Sequence, residues 1–297
     1  MGASFAALVL AGLALAGSAH AAFPGSNGRI AFGSTASGPG DPSSGDSEIW
    51  TANPQVFDHD LRTLTRNARQ DSAPAYSPNG KRIAWDRAQA IWVMNADGSS
   101  KKRLTPTGTN NIFEQPTWSP DGKRIAYIRN DAIWTMNADG TQHKLLKDVS
   151  NTLARPTWSP NGNRIAYSEG VAPNDHDIVS VRSGNGGDRQ GLATGLADEL
   201  YPDYSPVGSK ILYQANGDIW MMDAGGGDQE LVQSLCNENL DPAWSPSGTS
   251  LAWVCVTPNV VDVYEAKLSN LGNPQAVSTT GTGPGAPIDG EPSWQPR

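Results

Sequence analysis

A repeat of about forty residues is the feature that most constrains how this chain of 297 residues can fold. One clear copy runs from Pro116 to Gly140. It opens with the aromatic segment P-T-W, turns through S-P-D-G and returns along K-R-I-A-Y. Proline and glycine at these positions are typical of a tight turn, so this half of the repeat predicts an antiparallel hairpin.

The second half of the copy adds two more short strands. The segment I-W-T-M is followed by N-A-D-G, which predicts a second tight turn, and we expect a fourth strand around Lys144–Asp148. Four antiparallel strands per repeat, none able to bury both faces alone, are typical of a propeller blade.

The opening hairpins give the number of blades. Complete copies begin at Pro74, Pro116, Pro156, Pro202 and Pro242. A last half-copy, Pro292–Gln295, has no strand after it, and Arg29–Phe32 is a second strand with no clear first strand before it. We therefore predict an all-β fold, a six-bladed β-propeller of four-stranded antiparallel blades, closed by the C-terminal strand pairing with the N-terminal blade.

Aromatic residues recur at three positions of this repeat, and all ten tryptophans fall there. In strand one they are Tyr76, Trp118, Trp158, Tyr204, Trp244 and Trp294; in strand two, Phe32, Trp85, Tyr127, Tyr167, Tyr213 and Trp253; in strand three, Trp50, Trp92, Trp134, Trp220 and Tyr264, with Val179 as the exception. The regular spacing favours packing between blades over a ligand-stacking surface.

The W-S-P-D-G-K-R-I-A-Y and I-W-x-M-N-A-D-G repeat resembles that of the TolB β-propeller family over nearly all of residues 22–297. TolB itself carries an additional α/β domain before its propeller, for which we expect no room here. The resemblance implies a bacterial envelope setting and a protein-binding role. Related propellers of prolyl-oligopeptidase-type enzymes accompany a hydrolase domain, but this sequence contains no Gly-x-Ser-x-Gly nucleophile motif.

Residues 1–21 resemble a secretory signal peptide. The apolar run Ala3–Ala16 is too short to span a bilayer comfortably, and Ala19-His20-Ala21 offers a small-x-small cleavage site before Ala22. No lysine or arginine precedes the run, and the alternative is an uncleaved N-terminal anchor. We predict a periplasmic or secreted protein whose propeller occupies residues 22–297.

The connections between strands differ in length between the two faces of the predicted disc. The connections between strands one and two, and three and four, are mostly tight turns; we call their side the tight-turn face. The other connections are longer and more variable, and we call their side the long-loop face. Because function tends to reside on loops held by a rigid scaffold, we predict that the long-loop face binds, the alternative being that its loops are solvated connectors.

The two cysteines flank the first hairpin of the last blade. Cys236 comes just before its first strand and Cys255 just after its second, so folding of the hairpin brings them close. In an exported protein this favours a disulfide over two buried thiols.

Acidic residues come just before most first strands, with Arg155 at the position in the fourth blade. They are Asp71, Glu114, Glu199, Asp241 and Glu291. If they face inward, they ring one mouth of the channel and attract a divalent metal ion or a basic segment of a partner. Their offsets from the following proline vary, which favours the alternative that each caps its own loop or faces water.

Two other clusters have residue types suited to metal binding. Asp58-His59-Asp60 and Asp175-His176-Asp177 fall on connections predicted to lie on opposite faces, so we expect no site shared by both clusters, while a metal site at one of them stays open. Asp177 also occupies the position of Asp218 and Asp262 at the start of strand three, which favours a structural role.

The formal net charge is −8, and no basic stripe is present, so nucleic acid is a poor partner. Membrane insertion of the mature chain is not expected, and we expect a monomer. The first hypothesis is an exported non-catalytic scaffold that docks a protein or peptide of the cell envelope on the long-loop face or at the channel mouth. The alternative is an enzyme, a metal-assisted hydrolase or lyase acting on a sugar or lactone, with its site at the central channel.

Overall fold

The computed structural model describes residues 22–35, 46–56, 60–107, 110–149, 155–172, 175–195, 198–258, 261–278 and 289–297. These residues form twenty-four strands in six four-stranded antiparallel sheets. The one helical segment among them is the short 3-10 turn Leu268–Asn270. The prediction of an all-β, six-bladed propeller is therefore confirmed, while the predicted signal peptide at residues 1–21 lies outside the described residues.

The strands follow one another blade by blade. Blade 1 contains β1 (Asn27–Ser34), β2 (Glu48–Ala52) and β3 (Arg62–Thr63), and blade 2 contains β4 (Asp71–Tyr76), β5 (Arg82–Arg87), β6 (Ile91–Asn95) and β7 (Lys102–Arg103). Blade 3 contains β8 (Phe113–Trp118), β9 (Arg124–Arg129), β10 (Ala132–Asn137) and β11 (Lys144–Asp148), and blade 4 contains β12 (Thr157–Trp158), β13 (Arg164–Ala172), β14 (Asp175–Arg182) and β15 (Gln190–Ala193). Blade 5 contains β16 (Glu199–Tyr204), β17 (Lys210–Ala215), β18 (Asp218–Asp223) and β19 (Glu230–Gln233). Blade 6 contains β20 (Glu238–Trp244), β21 (Ser250–Val256), β22 (Val261–Lys267) and β23 (Gln275–Ala276), and β24 (Asp289–Pro296) completes blade 1.

The ring closes through the C-terminal strand, as predicted. Strand β24 pairs antiparallel with β1, with Ile30 opposite Trp294 and Ala31 opposite Ser293. First strands of neighbouring blades contact one another, for example β4 with both β24 and β8. First strands therefore line the axis of the disc, and the short fourth strands form its outer rim.

Side chains of the S-P-D-G motif stabilise the turn that they encode. In blade 3 the backbone N–H of Arg124 donates to Ser119 Oγ at 2.9 Å, and the N–H of Lys123 donates to Asp121 Oδ1 at 3.0 Å. The glycine of the motif has φ of +67°. The turn therefore satisfies its own backbone donors through local side chains, which is why the motif recurs with so little change.

The aromatic positions of strands one and two are buried between blades, as expected. The Arg82 guanidinium of blade 2 lies 5.4 Å from the ring centroid of Trp118 in blade 3, and Arg124 lies 4.6 Å from that of Trp158 in blade 4. Trp118 also donates its indole N–H to the Ala75 carbonyl of blade 2 at 3.1 Å. The arginine that opens strand two is thus part of the packing between blades.

The sequence of blade 4 departs from the repeat at Ser168–His176, which predicts an inserted loop, and Ile178–Val181 predicts a degenerate third strand. The structure differs from both predictions. Strands β13 and β14 continue to pair through this segment, with Ser168 opposite Ile178 and Gly170 opposite His176. The extra residues lengthen the hairpin because continued pairing satisfies their backbone N–H and C=O groups. The result is a blade that projects further than its neighbours on the long-loop face.

Two glycines at the same position of the turn provide a test of how the ring closes. Gly80 and Gly122 have φ of +66° and +67°, so alanine costs about 1–2 kcal/mol at either position. A Cβ at Gly80 would also overlap the carbonyl oxygen of Pro296 in β24, whereas at Gly122 it would lie 3.8 Å from the Pro78 ring. We expect Gly80→Ala to lower the free energy of unfolding by roughly 1–3 kcal/mol more than Gly122→Ala. Urea unfolding of both variants measures the difference, and equal losses would contradict the seating of β24 against this turn.

Candidate functional site

A bulge in the first strand sets the geometry at the centre of the propeller. The pairing of strands one and two shifts register beside the proline of strand one in five blades. The residue just before that proline has positive φ at Ala73, Gln115, Tyr201, Asp241 and Glu291. Such a bulge re-aims the side chain out of the normal alternation of a strand. We call these five residues, together with Arg155 at the same position of blade 4, the axial ring.

Arg155 shows where the axial ring points. Its guanidinium, which is fully buried, forms an ion pair with Asp241 of blade 6 and lies 3.5 Å from the ring centroid of Tyr201 in blade 5. Blades 4 and 6 are not neighbours, so these side chains meet near the axis. Burial nevertheless raises the pKa of Asp241, and the Arg155 charge opposes that shift.

Two further carboxyl groups lie beside this ion pair. Glu291 accepts the backbone N–H of Ala73, and burial together with the nearby Asp86 carboxyl raises its pKa well above the usual range. Asp86, near the end of β5, is only 6% exposed and accepts the Ser72 hydroxyl at 2.6 Å. Burial and, to a smaller extent, Glu114 raise the pKa of Asp86 to about 7. Protons on these carboxyl groups therefore limit the negative charge that the axis carries at neutral pH.

The five candidate metal ligands do not share one environment. Asp241 and Glu291 belong to the axial ring. Asp71 instead lies in the cleft between blades 1 and 2, where its carboxylate accepts Arg87 Nε at 2.6 Å and Trp85 Nε1 at 3.0 Å. The offset from the proline explains the difference, because only the residue immediately before it sits on the bulge.

The remaining two candidates lie on the long-loop face. Glu114 is half-buried, and its pKa is raised by burial and by the nearby Asp131. Glu199 is 5% exposed and accepts the Gly195 N–H at 3.2 Å through one carboxyl oxygen. Burial raises the pKa of Glu199 to about 7, and Asp177, Asp175 and Asp198 add to the rise in that order. We call these three aspartates and Glu199 the acidic cleft, which lies between blades 4 and 5.

The histidine clusters also have distinct surroundings. His176 is hydrogen-bonded to Asp198 at the acidic cleft, with 2.5 Å between Nδ1 and Oδ1. His59 lies outside the described residues, and Asp60 is paired with Arg29 and Arg62. In the part of the chain that the structure describes, no group of three or more His, Cys, Asp or Glu side chains is placed to hold a metal ion. Metal binding by the five candidates remains a prediction.

Two surface clefts are lined by arginines. One, of about 490 Å³, lies on the long-loop face between blades 1 and 2 and is bordered by Arg69, Arg87, Arg103 and Trp92; we call it the arginine cleft. The other, of about 770 Å³, lies on the tight-turn face between blades 3 and 4, beside Arg124, Arg164 and Arg182. Loop lengths gave no indication of the second cleft, although the arginines that open strand two were visible in the repeat.

The two cysteines lie at disulfide distance, with 1.97 Å between the sulfurs of Cys236 and Cys255. The bridge joins the loop before β20 to the end of β21. It therefore fastens the axis-lining strand of blade 6 to its neighbour in the same blade. No helix among the described residues has the length and apolar character needed to cross a bilayer.

Comparison with known proteins identifies the family. The sequence model of the TolB β-propeller domain matches residues 22–194. The chain belongs to the TolB β-propeller family.

Solved TolB structures agree with this assignment. TolB from Acinetobacter baumannii is 20% identical with a TM-score of 0.74, and the alignment covers 91% of this chain and 67% of that one. A putative TolB from Agrobacterium tumefaciens is 19% identical with a TM-score of 0.67, covering 91% and 99%. An oligogalacturonate lyase in complex with manganese is 10% identical with a TM-score of 0.59, covering 89% and 78%. At these identities the likeness concerns the fold, and a comparison with curated proteins finds no match.

Several central residues of this TolB-family propeller are not apparent from the sequence. Asp86, Gln115 and Tyr201 were not singled out, although Gln115 and Tyr201 directly precede a proline that was. Their place directly before the first-strand proline could have identified these two residues, whereas their residue types could not. Asp86 has no such signal, because its burial depends on side chains from the neighbouring blade.

The raised pKa of Asp86 predicts a pH-dependent stability. The folded value of about 7 exceeds the ordinary value of 3.8, so the folded protein binds this proton more tightly and the stability contributed by Asp86 falls as pH rises between those values. We expect Asp86→Asn to raise the free energy of unfolding by roughly 2–3 kcal/mol more at ~pH 8 than at ~pH 5. Urea unfolding at both pH values tests this. Asp97→Asn, at an exposed turn, is the control and should show no such gain.

Proposed function

We propose that this protein is an exported, non-catalytic scaffold that docks a protein or peptide partner on its long-loop face. The observation that carries the proposal is the placement of the acidic cleft and the arginine cleft on this one face. The interfaces between blades 1 and 2 and between blades 4 and 5 lie across the axis from each other in a six-bladed ring. A partner with matching charges would bind in one orientation only.

The charged groups of the two clefts are available to different degrees. Asp198 keeps 40% of its side chain exposed, whereas the second carboxyl oxygen of Glu199 is buried and has no hydrogen-bond partner among the described residues. In the other cleft Arg69 is exposed, while Arg103 donates to the Thr105 carbonyl and Arg87 is held by Asp71. A basic segment fits the acidic cleft, and an acidic group fits the arginine cleft.

An exported protein in the cell envelope is part of this proposal. The signal-like residues 1–21, the Cys236–Cys255 pair and the TolB family all favour a compartment outside the cytoplasm. A protein partner in the cell envelope is the corresponding hypothesis.

The test uses two fluorescently labelled peptides of equal length, one rich in lysine and one rich in glutamate. We expect Asp175→Asn/Asp198→Asn to weaken binding of the lysine-rich peptide roughly tenfold and to leave the glutamate-rich peptide unaffected. Arg69→Gln/Arg103→Gln should have the opposite selectivity. Fluorescence anisotropy at low and high salt gives the affinities, and added salt should weaken both complexes.

The matched control is Asp228→Asn/Glu230→Gln, which removes two charges near the tight-turn end of blade 5 and should change neither affinity. Equal effects of all three double variants would contradict the proposal, since only net charge would then matter. The same titrations with Mn²⁺ in place of peptide examine the alternative of a metal-dependent enzyme. Stoichiometric Mn²⁺ binding that is lost in Asp241→Asn would favour that alternative.

A further inference from the structure

The first described residues enter the centre of the propeller from the tight-turn face. The Gly25 N–H donates to the Pro246 carbonyl in the first turn of blade 6, and the Ser26 N–H donates to the Arg297 carbonyl. Ahead of them, Ala22 and Phe23 are 7% and 5% exposed. Phe23 joins an apolar cluster built from blades 2 to 4, whereas Ala22 joins one built from blades 5 and 6. Ala22 and Phe23 are adjacent in the chain but pack against opposite sides of the ring, so both lie close to its axis.

Asp203 is the polar group that meets this segment. It follows Pro202 in β16 and is fully buried. Its carboxyl accepts the backbone N–H of Trp244 in blade 6 at 2.7 Å and the Thr157 hydroxyl of blade 4 at 3.4 Å. The backbone N–H of Ala22 also donates to it. One side chain therefore links three blades and the N-terminal segment.

Asp203 is an acidic residue directly after a first-strand proline, where the other five blades have a different kind of residue. The residues that follow the first-strand proline in the other blades are small and uncharged: Ala75, Thr117, Thr157, Ala243 and Ser293. Every group that acts on Asp203, as far as the described residues go, is a neutral hydrogen-bond donor. Burial accordingly raises its pKa well above the usual range and so favours the neutral form of the carboxyl. A buried acid without a cation costs stability, and a cation placed at the Ala22 nitrogen would remove that cost.

The predicted cleavage site lies at this nitrogen. Hydrolysis of the Ala21–Ala22 peptide bond by a leader-removing peptidase would add one water, leave a carboxylate on the leader and convert the Ala22 amide into an amine, which takes up a proton. We propose that this processing creates a buried ion pair between the α-ammonium group of Ala22 and the carboxylate of Asp203. The ion pair anchors the new N-terminus in the channel and closes its tight-turn end.

The inference is independent of the proposed partner, although it bears on access to the channel. With Ala22 and Phe23 in place, a ligand reaches the axial ring only from the long-loop face. In the precursor the neutral form of Asp203 accepts hydrogen bonds without needing a cation, so the propeller can fold before cleavage and is stabilised after it.

The experiment uses the full-length precursor, exported by a secretion-competent host and purified after processing. Mass spectrometry first gives the N-terminal residue, and a terminus other than Ala22 would overturn the proposal at this step. The rate at which an amine-reactive acylating reagent labels the terminus is then followed against pH. An ion pair raises the pKa of the amine, whereas burial alone lowers it. We expect a raised pKa and labelling at neutral pH at least about tenfold slower than for the unfolded chain.

Two variants identify the partner of the amine. A glycine inserted between Ala21 and Ala22 displaces the amine and should lower the Tm by roughly 5 °C. Asp203→Asn should lower the pKa of the amine, and in that background the inserted glycine should have little further effect on the Tm. Ala22→Gly, which keeps the terminus in place, is the control and should retain slow labelling. If Asp203→Asn does not fold, the pH dependence of labelling in the wild-type and glycine-inserted proteins decides: an amine pKa at or below that of a free peptide in the wild type would overturn the proposal.

Discussion

Packing between adjacent blades is the interaction on which the rest of this structure depends. Both faces of a four-stranded blade are apolar, and each face is covered by one of the two neighbouring blades. Arg82 and Arg124 reach across to Trp118 and Trp158 of the following blades, so the same contact is used repeatedly around the ring. An open row of blades would leave one apolar face uncovered at each end. Strand β24 closes the row into a ring by completing blade 1 with the C-terminal strand. Both ends of the chain thereby become part of one blade.

The first strands turn this scaffold into a site. A proline in each of them removes one ladder hydrogen bond, and in five of the six blades the residue before it adopts positive φ in the bulge. The side chain at that one position is directed toward the axis, while the side chain two positions earlier lies between blades. Asp71 and Asp241 illustrate the consequence: similar acids on equivalent strands meet Arg87 within a blade in one case and Arg155 across the axis in the other.

Sequence was sufficient for the features that are local and repeated. Hairpins, turns, aromatic positions and ring closure all follow from residues that lie close together in the chain or recur with the period. It was insufficient where the outcome depends on neighbouring blades. The extended hairpin at Ser168–His176 looked like an insertion because a departure from the repeat carries no information about pairing. The burial of Asp86 could not be inferred either, because it arises from contacts with a different blade.

The axis shows how one fold accommodates several buried acids by different means. Asp241 is opposed by a cation, Arg155, whereas Glu291 is paired with a backbone N–H and retains a strongly raised pKa. Replacing these acids by neutral residues would remove the cost of burying them, as Ala73 and Gln115 do at the same position of blades 2 and 3. Because burial raises the pKa of Asp86 to about 7 and that of Glu291 well above its usual range, the charge at the axis depends on pH.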